Sequence, residues 1–243
     1  MLATYDDLIF DPVLRAYFGP AGYYNAGYWQ NGVGNQEEAC NALVERLVRG
    51  VHAHPRRILD AGCGLGASTR AIARCRPGAI VAGINNSVGQ LRAARGTRVF
   101  AGDAARLAIA DRVADVVVSV EAAFHFRTRE MFVAEAQRVL VRGGRLVASD
   151  ILFQSDSWPG AWTVPSENEV ADIDAYRAML ERQGFGDIVI EDATGLCWAP
   201  FCANLQKWIR GRTDIDAAQW SAMVDALRDR TVSRYVLVSA TAA

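Results

Sequence analysis

"ILDAGCGLGAS", residues 58–68, is an apolar run that ends in an acid and continues into three glycines at alternate positions. A glycine turn between a buried strand and a helix lets a ligand approach the backbone at the helix N-terminus. Read as G-x-G-x-x-A (Gly62, Gly64, Ala67), the stretch is typical of nicotinamide-binding proteins. Read as D-x-G-x-G-x-G, it starts at Asp60, ends at Gly66 and fits a second class of cofactor. The short motif alone does not decide.

Short β-branched runs alternate with helical patterns along the chain, which indicates α/β architecture. The run at 114–121 is continuously apolar, as expected for a strand buried on both faces of a parallel sheet. The candidate strands are 57–61, 79–84, 98–101, 114–121, 144–151, 187–194 and 234–240. The main candidate helices are 37–50, 68–75, 87–95, 128–140, 199–210 and 216–229, and Gly143 with Gly144 is interpreted as the stop signal of the helix at 128–140.

The chain has 243 residues, 51% of them hydrophobic and 22% charged, which is typical of one ordinary globular domain. About 55 residues precede the glycine strand, whereas a dinucleotide dehydrogenase often begins with that strand. We therefore expect a single domain over 1–243. It consists of an N-terminal helical flap at 1–55, a cofactor-binding core at 56–151 and substrate-side helices with the final strands at 152–243.

Charge and composition limit the kinds of binding partner that we expect. A net charge of -1 and a pI near 6.3 argue against a nucleic-acid partner, which usually needs a concentrated basic surface. The chain has no signal-peptide pattern and no run of the roughly 20 apolar residues that span a bilayer, so we expect a cytoplasmic protein with no membrane partner. Five cysteines without a C-x-x-C pair are interpreted as reduced thiols, and no metal-ligand cluster is evident.

Polar side chains fall at or just after the predicted strand ends, where ligands bind in open α/β sheets. A nicotinamide site needs an acid about 20 residues beyond the glycines, and Asn85 stands at that place. Asp103 could accept a hydrogen bond from an exocyclic adenine amine, with the next backbone N–H facing a ring nitrogen. The full set at this edge is Asp60, Asn85, Asp103, Glu121 and Asp150.

Five blocks then carry a resemblance: "ILDAGCGLG", "GINNSVGQL", "GDAARL", "EAAFHF" and "RVLVRGGRLVASD". In order and spacing, residues 56–151 resemble class I S-adenosylmethionine-dependent methyltransferases. "GINNSVGQ" is similar to the branch with small-molecule and natural-product methyltransferases, sterol-type C-methyltransferases and cyclopropane synthases. "NAGYW" at 25–29 resembles an N-terminal segment of the same branch. The resemblance implies a Rossmann-like, doubly wound, seven-stranded and mostly parallel sheet whose last strand is antiparallel.

The resemblance also implies a cofactor, S-adenosyl-L-methionine, with S-adenosyl-L-homocysteine as product. The three loop glycines would approach the methionyl part, and Asp60 would support the loop or the amino group. Ribose and adenine would face Asn85 and Asn86, and adenine would be held by Asp103. Glu121 touches the cofactor or an acceptor amine, or makes only a structural hydrogen bond. The implied cofactor-binding set is Asp60, Gly62, Gly64, Gly66, Asn85, Asn86, Asp103, Ala104 and Glu121.

"EAAFHF" is similar to a block of glycosyl and polyketide O-methyltransferases that pair a histidine with the acid ending the fifth strand. The matching residues here are His125 and Asp150. A histidine pKa near neutrality suits proton removal from an alcohol or phenol, so His125 is the candidate base. The alternative is that His125, between two phenylalanines, only shapes the pocket.

Aromatic residues suggest a substrate pocket. The segment 10–31 could close over the cofactor and exclude water, or anchor an N-terminal helix to the core. Aromatic residues at helical spacing after residue 197 could form a pocket wall, core or dimer contacts. A loop at 163–170 is another expected pocket element. The candidate pocket residues are Tyr24, Tyr28, Trp29, Phe124, Trp198 and Phe201.

We therefore expect methyl transfer to an oxygen or nitrogen of a small molecule, a secondary metabolite. One alternative is C-methylation of an activated carbon, where a base histidine would matter less. Another is a catalytically silent cofactor-binding subunit, and a nicotinamide oxidoreductase is the least favoured. A homodimer is left open, because the helices at 199–229 could serve either subunit contacts or the pocket.

Overall fold

The computed structural model describes residues 2–30, 32–51, 54–153 and 164–243. Three helices precede the sheet: α1 (Leu2–Ile9), α2 (Pro12–Phe18) and α3 (Gln36–Arg49). The side chain of Asp11 accepts from two backbone N–H groups at the start of α2, and Asn35 accepts from the N–H of Glu38 at the start of α3. Both are capping residues that satisfy otherwise unpaired donors. The predicted N-terminal flap is therefore helical.

The sheet confirms the expected architecture. Its strands are β1 (Arg57–Ala61), β2 (Ile80–Asn85), β3 (Val99–Ala101), β4 (Ala114–Val120), β5 (Leu140–Phe153), β6 (Phe185–Asp192) and β7 (Val232–Ala242). They are arranged in the order β3-β2-β1-β4-β5-β7-β6. Strands β1 to β5 pair in parallel, and β7 lies antiparallel between β5 and β6. The carboxyl ends of β1, β2, β4 and β5 thus meet at one edge.

Helices cover both faces of the sheet. They are α4 (Ala67–Cys75), α5 (Val88–Ala93), α6 (Arg129–Val139), α7 (Ile173–Arg182), α8 (Trp198–Arg210) and α9 (Ala217–Ala226). Val116 and Val118 pack into one hydrophobic core and Val117 into the other, each with 0% exposure. This alternation explains the continuous apolar run of β4. No helix among the described residues has the length and apolar character needed to cross a membrane.

The helix predicted at 128–140 agrees with α6 to within one residue at each end, but the interpretation of Gly143 and Gly144 as its stop signal is wrong. Helix α6 ends at Val139 and β5 begins at Leu140, so Gly143 and Gly144 lie inside the strand rather than at a helix stop. Leu140 pairs with Ala114 of β4 and is buried, which draws the chain into the sheet before the glycines are reached. Burial in the sheet outweighed the local signal of the glycine pair.

Candidate functional site

The glycine loop joins β1 to α4 and lies open at the carboxyl edge of the sheet. Gly62 has φ 79°, and a Cβ built on it would lie 2.4 Å from the Cβ of Ala122, so only glycine fits there. Gly64 has φ 54°, and the nearest atom to its built Cβ is Oε1 of Gln90 at 3.6 Å. The loop therefore packs tightly against β4 at one glycine and leaves its backbone approachable at the other.

A cleft lies beside this loop. Its walls come from the loop, from the end of β4 and from the N-terminal region, including α1. The lining residues are Ile9, Gly22, Tyr23, Tyr24, Asn25, Gly62, Cys63, Gly64, Leu65, Ala67, Ser68, Gln90, Val120, Glu121 and Ala122. Predicted site residues from three separate parts of the sequence thus share one cavity.

Asp60 lies in β1, two residues before Gly62, with 1% exposure, and its hydrogen-bond partner Ser68 lines the cleft. Its Oδ2 accepts from the hydroxyls of Ser68 and Thr69, each at 2.6 Å, whereas its Oδ1 is buried without a hydrogen-bond partner. Burial raises the pKa of Asp60 to about 6, against the lowering effect of the two hydroxyls. An unpartnered carboxylate oxygen beneath the glycine loop is suited to accept from a cationic or N–H group.

Glu121 forms the β4 wall of the cleft. Its Oε2 accepts from the backbone N–H of Ala26 at 2.7 Å and from the hydroxyl of Tyr235 at 2.9 Å. Its φ of 52° is a left-handed conformation that non-glycine residues rarely adopt, and such strain is concentrated at functional sites. Burial raises the pKa of Glu121 to about 7 even though both donors lower it. Glu121 thus joins the sheet to the N-terminal segment at the cleft.

The end of β2 places the next predicted residues. Asn85 donates from Nδ2 to Oε1 of Gln90 at 2.9 Å, and its own oxygen accepts from the N–H of Asn86. Gln90 is 2% exposed and lines the cleft, although the sequence analysis did not select it. Its only signal was its place in the block "GINNSVGQL".

Asp103 and Ala104 follow β3 at the same edge. Asp103 is exposed and accepts from the N–H of Ala105 at 2.8 Å, so one oxygen stabilises its own turn. Ala104 is buried. The structure therefore leaves the predicted adenine contacts of this turn untested.

His125 ends a short 3₁₀ turn, Ala123–His125, that follows the cleft-lining Ala122. Its backbone N–H donates to the carbonyl of Ala122 at 3.0 Å, and its ring lies 4.0 Å from the ring of Phe124, centroid to centroid. Burial, assisted by the positive charge of Arg129, lowers the pKa of His125 to about 3. The imidazole is consequently neutral at physiological pH.

The expected pairing of His125 with Asp150 is wrong. Asp150 has 0% exposure, and its Oδ2 accepts from Nε of Arg129 at 2.8 Å and from the hydroxyl of Tyr176 at 2.9 Å. Oδ1 accepts from the N–H of Ile151. A carboxylate removed from water needs a cation and several donors, and Arg129 supplies the charge that a neutral histidine would not.

The sequence analysis selected the loop that contains Asn168 but not Asn168 itself. It has 1% exposure and belongs to the predicted pocket loop 163–170, of which residue 163 lies outside the described residues. Its Nδ2 donates to the carbonyls of Phe124 and Phe126, and its Oδ1 accepts from the N–H of Arg129. The amide therefore holds both neighbours of His125 in place.

Four of the six aromatic candidates form two pairs. Tyr24 lines the cleft, and the ring of Phe124 lies against that of His125, tilted by 43°. Trp198 and Phe201 are buried in the core. The ring centroid of Phe18 lies 6.2 Å from that of Phe201 and 4.8 Å from that of Tyr24. Trp198 and Phe201 support the cleft wall through α2.

The other two aromatic candidates belong to the N-terminal segment. Tyr28 is 9% exposed and belongs to the same core, and its N–H donates to the carbonyl of Ala39. Trp29 donates from Nε1 to the carbonyl of Ala26 and lines a different surface groove, between α2 and α8. Neither residue lines the cleft.

Comparison with known proteins identifies the domain. Residues 59–148 match the family model of the methyltransferase domain. The chain is 29% identical over 202 residues to methyltransferase GfsG of Streptomyces halstedii, covering 75% of this chain and 72% of the relative. It is 29% identical over 188 residues to the 27-O-demethylrifamycin SV methyltransferase of Amycolatopsis mediterranei strain S699, covering 69% of this chain and 68% of the relative.

Solved structures show the same fold. The [4+2]-cyclase SpnF superposes with a TM-score of 0.76 at 22% identity, covering 98% of this chain and 94% of the other. Other structures of this fold contain S-adenosylmethionine or S-adenosylhomocysteine.

Proposed function

Because the chain is an S-adenosylmethionine-dependent methyltransferase, we propose that it methylates an oxygen or nitrogen of a small natural-product molecule, a hydroxyl oxygen foremost. Support for oxygen comes from the relative that acts on 27-O-demethylrifamycin SV and from the neutral imidazole of His125 beside the cleft. The single observation that carries the proposal is the placement of His125 one turn after the cleft-lining end of β4.

The cleft residues fit the cofactor. The unpartnered Oδ1 of Asp60 lacks a donor of the kind that an ammonium group or a bridging water provides. Gly64 leaves its backbone open toward Gln90, and Glu121 offers a carboxylate on the facing wall. We assign the methionyl part to Asp60, Glu121 and the glycine loop, and the ribose to the end of β2. When bound, S-adenosylmethionine supplies a methyl group on a positively charged sulfur.

The chain's own residues position the acceptor and manage its proton. Tyr24 gives the cleft aromatic surface, which favours a flat apolar acceptor and limits water, and the buried Phe124 packs against His125. In the proposed reaction, a ring nitrogen of His125 takes the hydroxyl proton. Asn168 fixes the backbone on both sides of this histidine. Alignment of the acceptor contributes several kcal/mol, up to about 7–11 in the best cases.

The low pKa of His125 also restricts the acceptor. An imidazole with a pKa of about 3 is a weaker base than an ordinary histidine, so proton removal depends more strongly on the acidity of the acceptor hydroxyl. Phenolic hydroxyls titrate near pH 10, far below alcohols. We propose a phenol or an enol rather than an aliphatic alcohol.

The direct experiment uses S-adenosylmethionine with a deuterium-labelled methyl group. The pure protein is incubated with a small-molecule extract of its host, and labelled products are identified by mass spectrometry. Fragmentation places the methyl on oxygen, nitrogen or carbon. Label on a phenolic oxygen supports the proposal, and label on carbon contradicts it in favour of the C-methyltransferase alternative. Binding of S-adenosylhomocysteine without any product would favour a silent subunit.

A second experiment tests the base. Replacing His125 by Ala is expected to lower kcat about 10²- to 10⁴-fold on the identified acceptor, the range found for general acid–base catalysis. The Kd for S-adenosylhomocysteine, measured by calorimetry, should stay unchanged because His125 does not line the cleft. Since the folded-state pKa is about 3, wild-type kcat should show no histidine titration near pH 6.5. Retained turnover in His125→Ala would remove the base role.

A further inference from the structure

The first helix of the chain lies against the end of β2. Both carboxylate oxygens of Asp6 on α1 lie 2.8 Å from the hydroxyl of Ser87, and Oδ1 also accepts from Nε2 of Gln90 at 2.7 Å. Ile9, three residues further along α1, lines the cleft. The hydroxyl of Tyr24 donates to the backbone carbonyl of Ile9. Helix α1 therefore forms part of the cleft wall through Ile9, and Asp6, one turn earlier, contacts the cleft-lining Gln90.

The end of β2 lacks a carboxylate of its own. Dinucleotide-binding folds place an acid at this strand end to accept hydrogen bonds from ribose hydroxyls. Asn85 occupies that position with a neutral amide, whose Nδ2 is directed to Gln90. Gln90 in turn donates to Asp6. A continuous series of hydrogen bonds thus connects Asn85 to a carboxylate on the first helix, 79 positions earlier in the chain.

We propose that Asp6 is a cofactor-binding residue, the acid that accepts hydrogen bonds from the ribose hydroxyls of S-adenosylmethionine in place of the amide at position 85. The inference rests on the assignment of the ribose to the end of β2. It makes α1 a component of the cofactor site rather than only a covering helix.

The hydrogen-bonding capacity of Asp6 permits this role. An ionised carboxylate has about four acceptor sites on its two oxygens. Oδ2 of Asp6 takes one contact, from Ser87, so it retains capacity for a further hydroxyl donor. Hydrogen bonds from hydroxyls to a charged carboxylate are roughly twice as strong as neutral ones. A neutral amide at position 85 would not give this gain.

Calorimetric binding of two ligands tests the proposal without any acceptor. The ligands are S-adenosylhomocysteine and its 2′,3′-dideoxy analogue, which lacks the two hydroxyls. Asp6→Asn should raise the Kd for S-adenosylhomocysteine about 10- to 100-fold and leave the Kd for the analogue nearly unchanged. Asp6→Glu keeps the carboxylate, so it should raise the Kd for S-adenosylhomocysteine by less than Asp6→Asn does. Asp7→Asn is the matched control, since it removes the same charge from an exposed neighbour on α1.

The possible outcomes separate the claims. An equal loss for both ligands in Asp6→Asn would mean that Asp6 only fastens α1 to α5, and it would overturn the inference, as would no loss at all. Wild-type protein that binds neither ligand would overturn the cofactor placement together with the inference. Wild-type binding with a loss confined to the ligand that carries hydroxyls supports both.

Discussion

The ends of β1 and β5 each carry an aspartate that is almost completely buried, with opposite surroundings. Asp60 at the end of β1 is 1% exposed, accepts only from the hydroxyls of Ser68 and Thr69, and leaves Oδ1 unpartnered. Asp150 at the end of β5 has 0% exposure and is neutralised by Arg129. The same residue type at the same edge of one sheet is thus incompletely satisfied in one place and fully satisfied in the other.

The difference supports the proposal that Asp60 belongs to a ligand site, whereas Asp150 stabilises the fold. A buried carboxylate without a cation is unfavourable in the free protein, and a ligand that donates to Oδ1 of Asp60 would complete its contacts. A carboxylate paired with a buried arginine has no capacity to spare and acts on the fold. Resemblance in sequence alone gave both aspartates functional roles, and only their surroundings distinguish them.

The largest expected change in the free energy of unfolding concerns Asp150, whose carboxylate is paired with Arg129. Asp150→Asn should lower the free energy of unfolding by about 3–5 kcal/mol, because it leaves the charge of Arg129 buried and unpaired. Urea unfolding at pH 8 measures this change. Glu130→Gln is the matched control: its partner Arg182 is 59% exposed, and such surface pairs contribute about 0–1 kcal/mol. Equal losses in the two variants would contradict the structural role of Asp150.

A smaller effect concerns Glu121, whose carboxylate has hydrogen-bond donors but, among the described residues, no paired cation. Its pKa is raised from 4.5 to about 7 by burial, so the native state keeps a proton that the unfolded state has lost between these values. Its contribution to stability is therefore full below about pH 4.5 and is lost as the pH rises through 7. We compare the cofactor-free proteins between pH 5 and pH 8. Over this range the free energy of unfolding should fall by about 2–3 kcal/mol more in wild type than in Glu121→Gln.

Urea unfolding of both proteins across this pH range gives the comparison. Asp60 titrates in both, so the difference isolates Glu121. Glu181→Gln is the control, because that side chain is exposed on α7. Parallel curves for wild type and Glu121→Gln would show that the glutamate is ionised in the folded protein.

The sheet and the cofactor edge were predictable because their signals are local. Apolar runs predict the strands of the parallel half. The glycine motif predicts the turn at Gly62. The start of β5 at Leu140, four residues before the predicted start, was not predictable, because burial of Leu140 against Ala114 decided it. The glycine pair Gly143 and Gly144 gave the opposite indication. A sheet contact made across the fold has no trace in the residues beside it.

The side-chain partners at the site were hardly predictable. Asp150 takes Arg129 and Tyr176 instead of His125, and these residues come from α6 and α7. Asp6 reaches the end of β2 from 79 positions before Asn85 in the chain. No spacing rule connects such residues, because their distances are set by how helices pack onto the sheet. Position at a strand end predicts that a residue is at the site, and packing decides what it contacts.

The smallest change in the free energy of unfolding is expected for a substitution of Asp60, whose carboxylate has an oxygen without a partner. In Asp60→Asn the amide oxygen can still accept from Ser68 and Thr69, and the buried charge disappears, so the free energy of unfolding of the cofactor-free protein at pH 8 should change by no more than about 1 kcal/mol. The affinity for S-adenosylhomocysteine should fall about tenfold or more, because the amide N–H replaces the acceptor that the ligand needs. Urea unfolding and calorimetry of Asp60→Asn beside Asp150→Asn measure both quantities. A large loss of stability with unchanged affinity at Asp60 would mean that its unpartnered oxygen serves the fold, and the distinction between the two strand ends would fail.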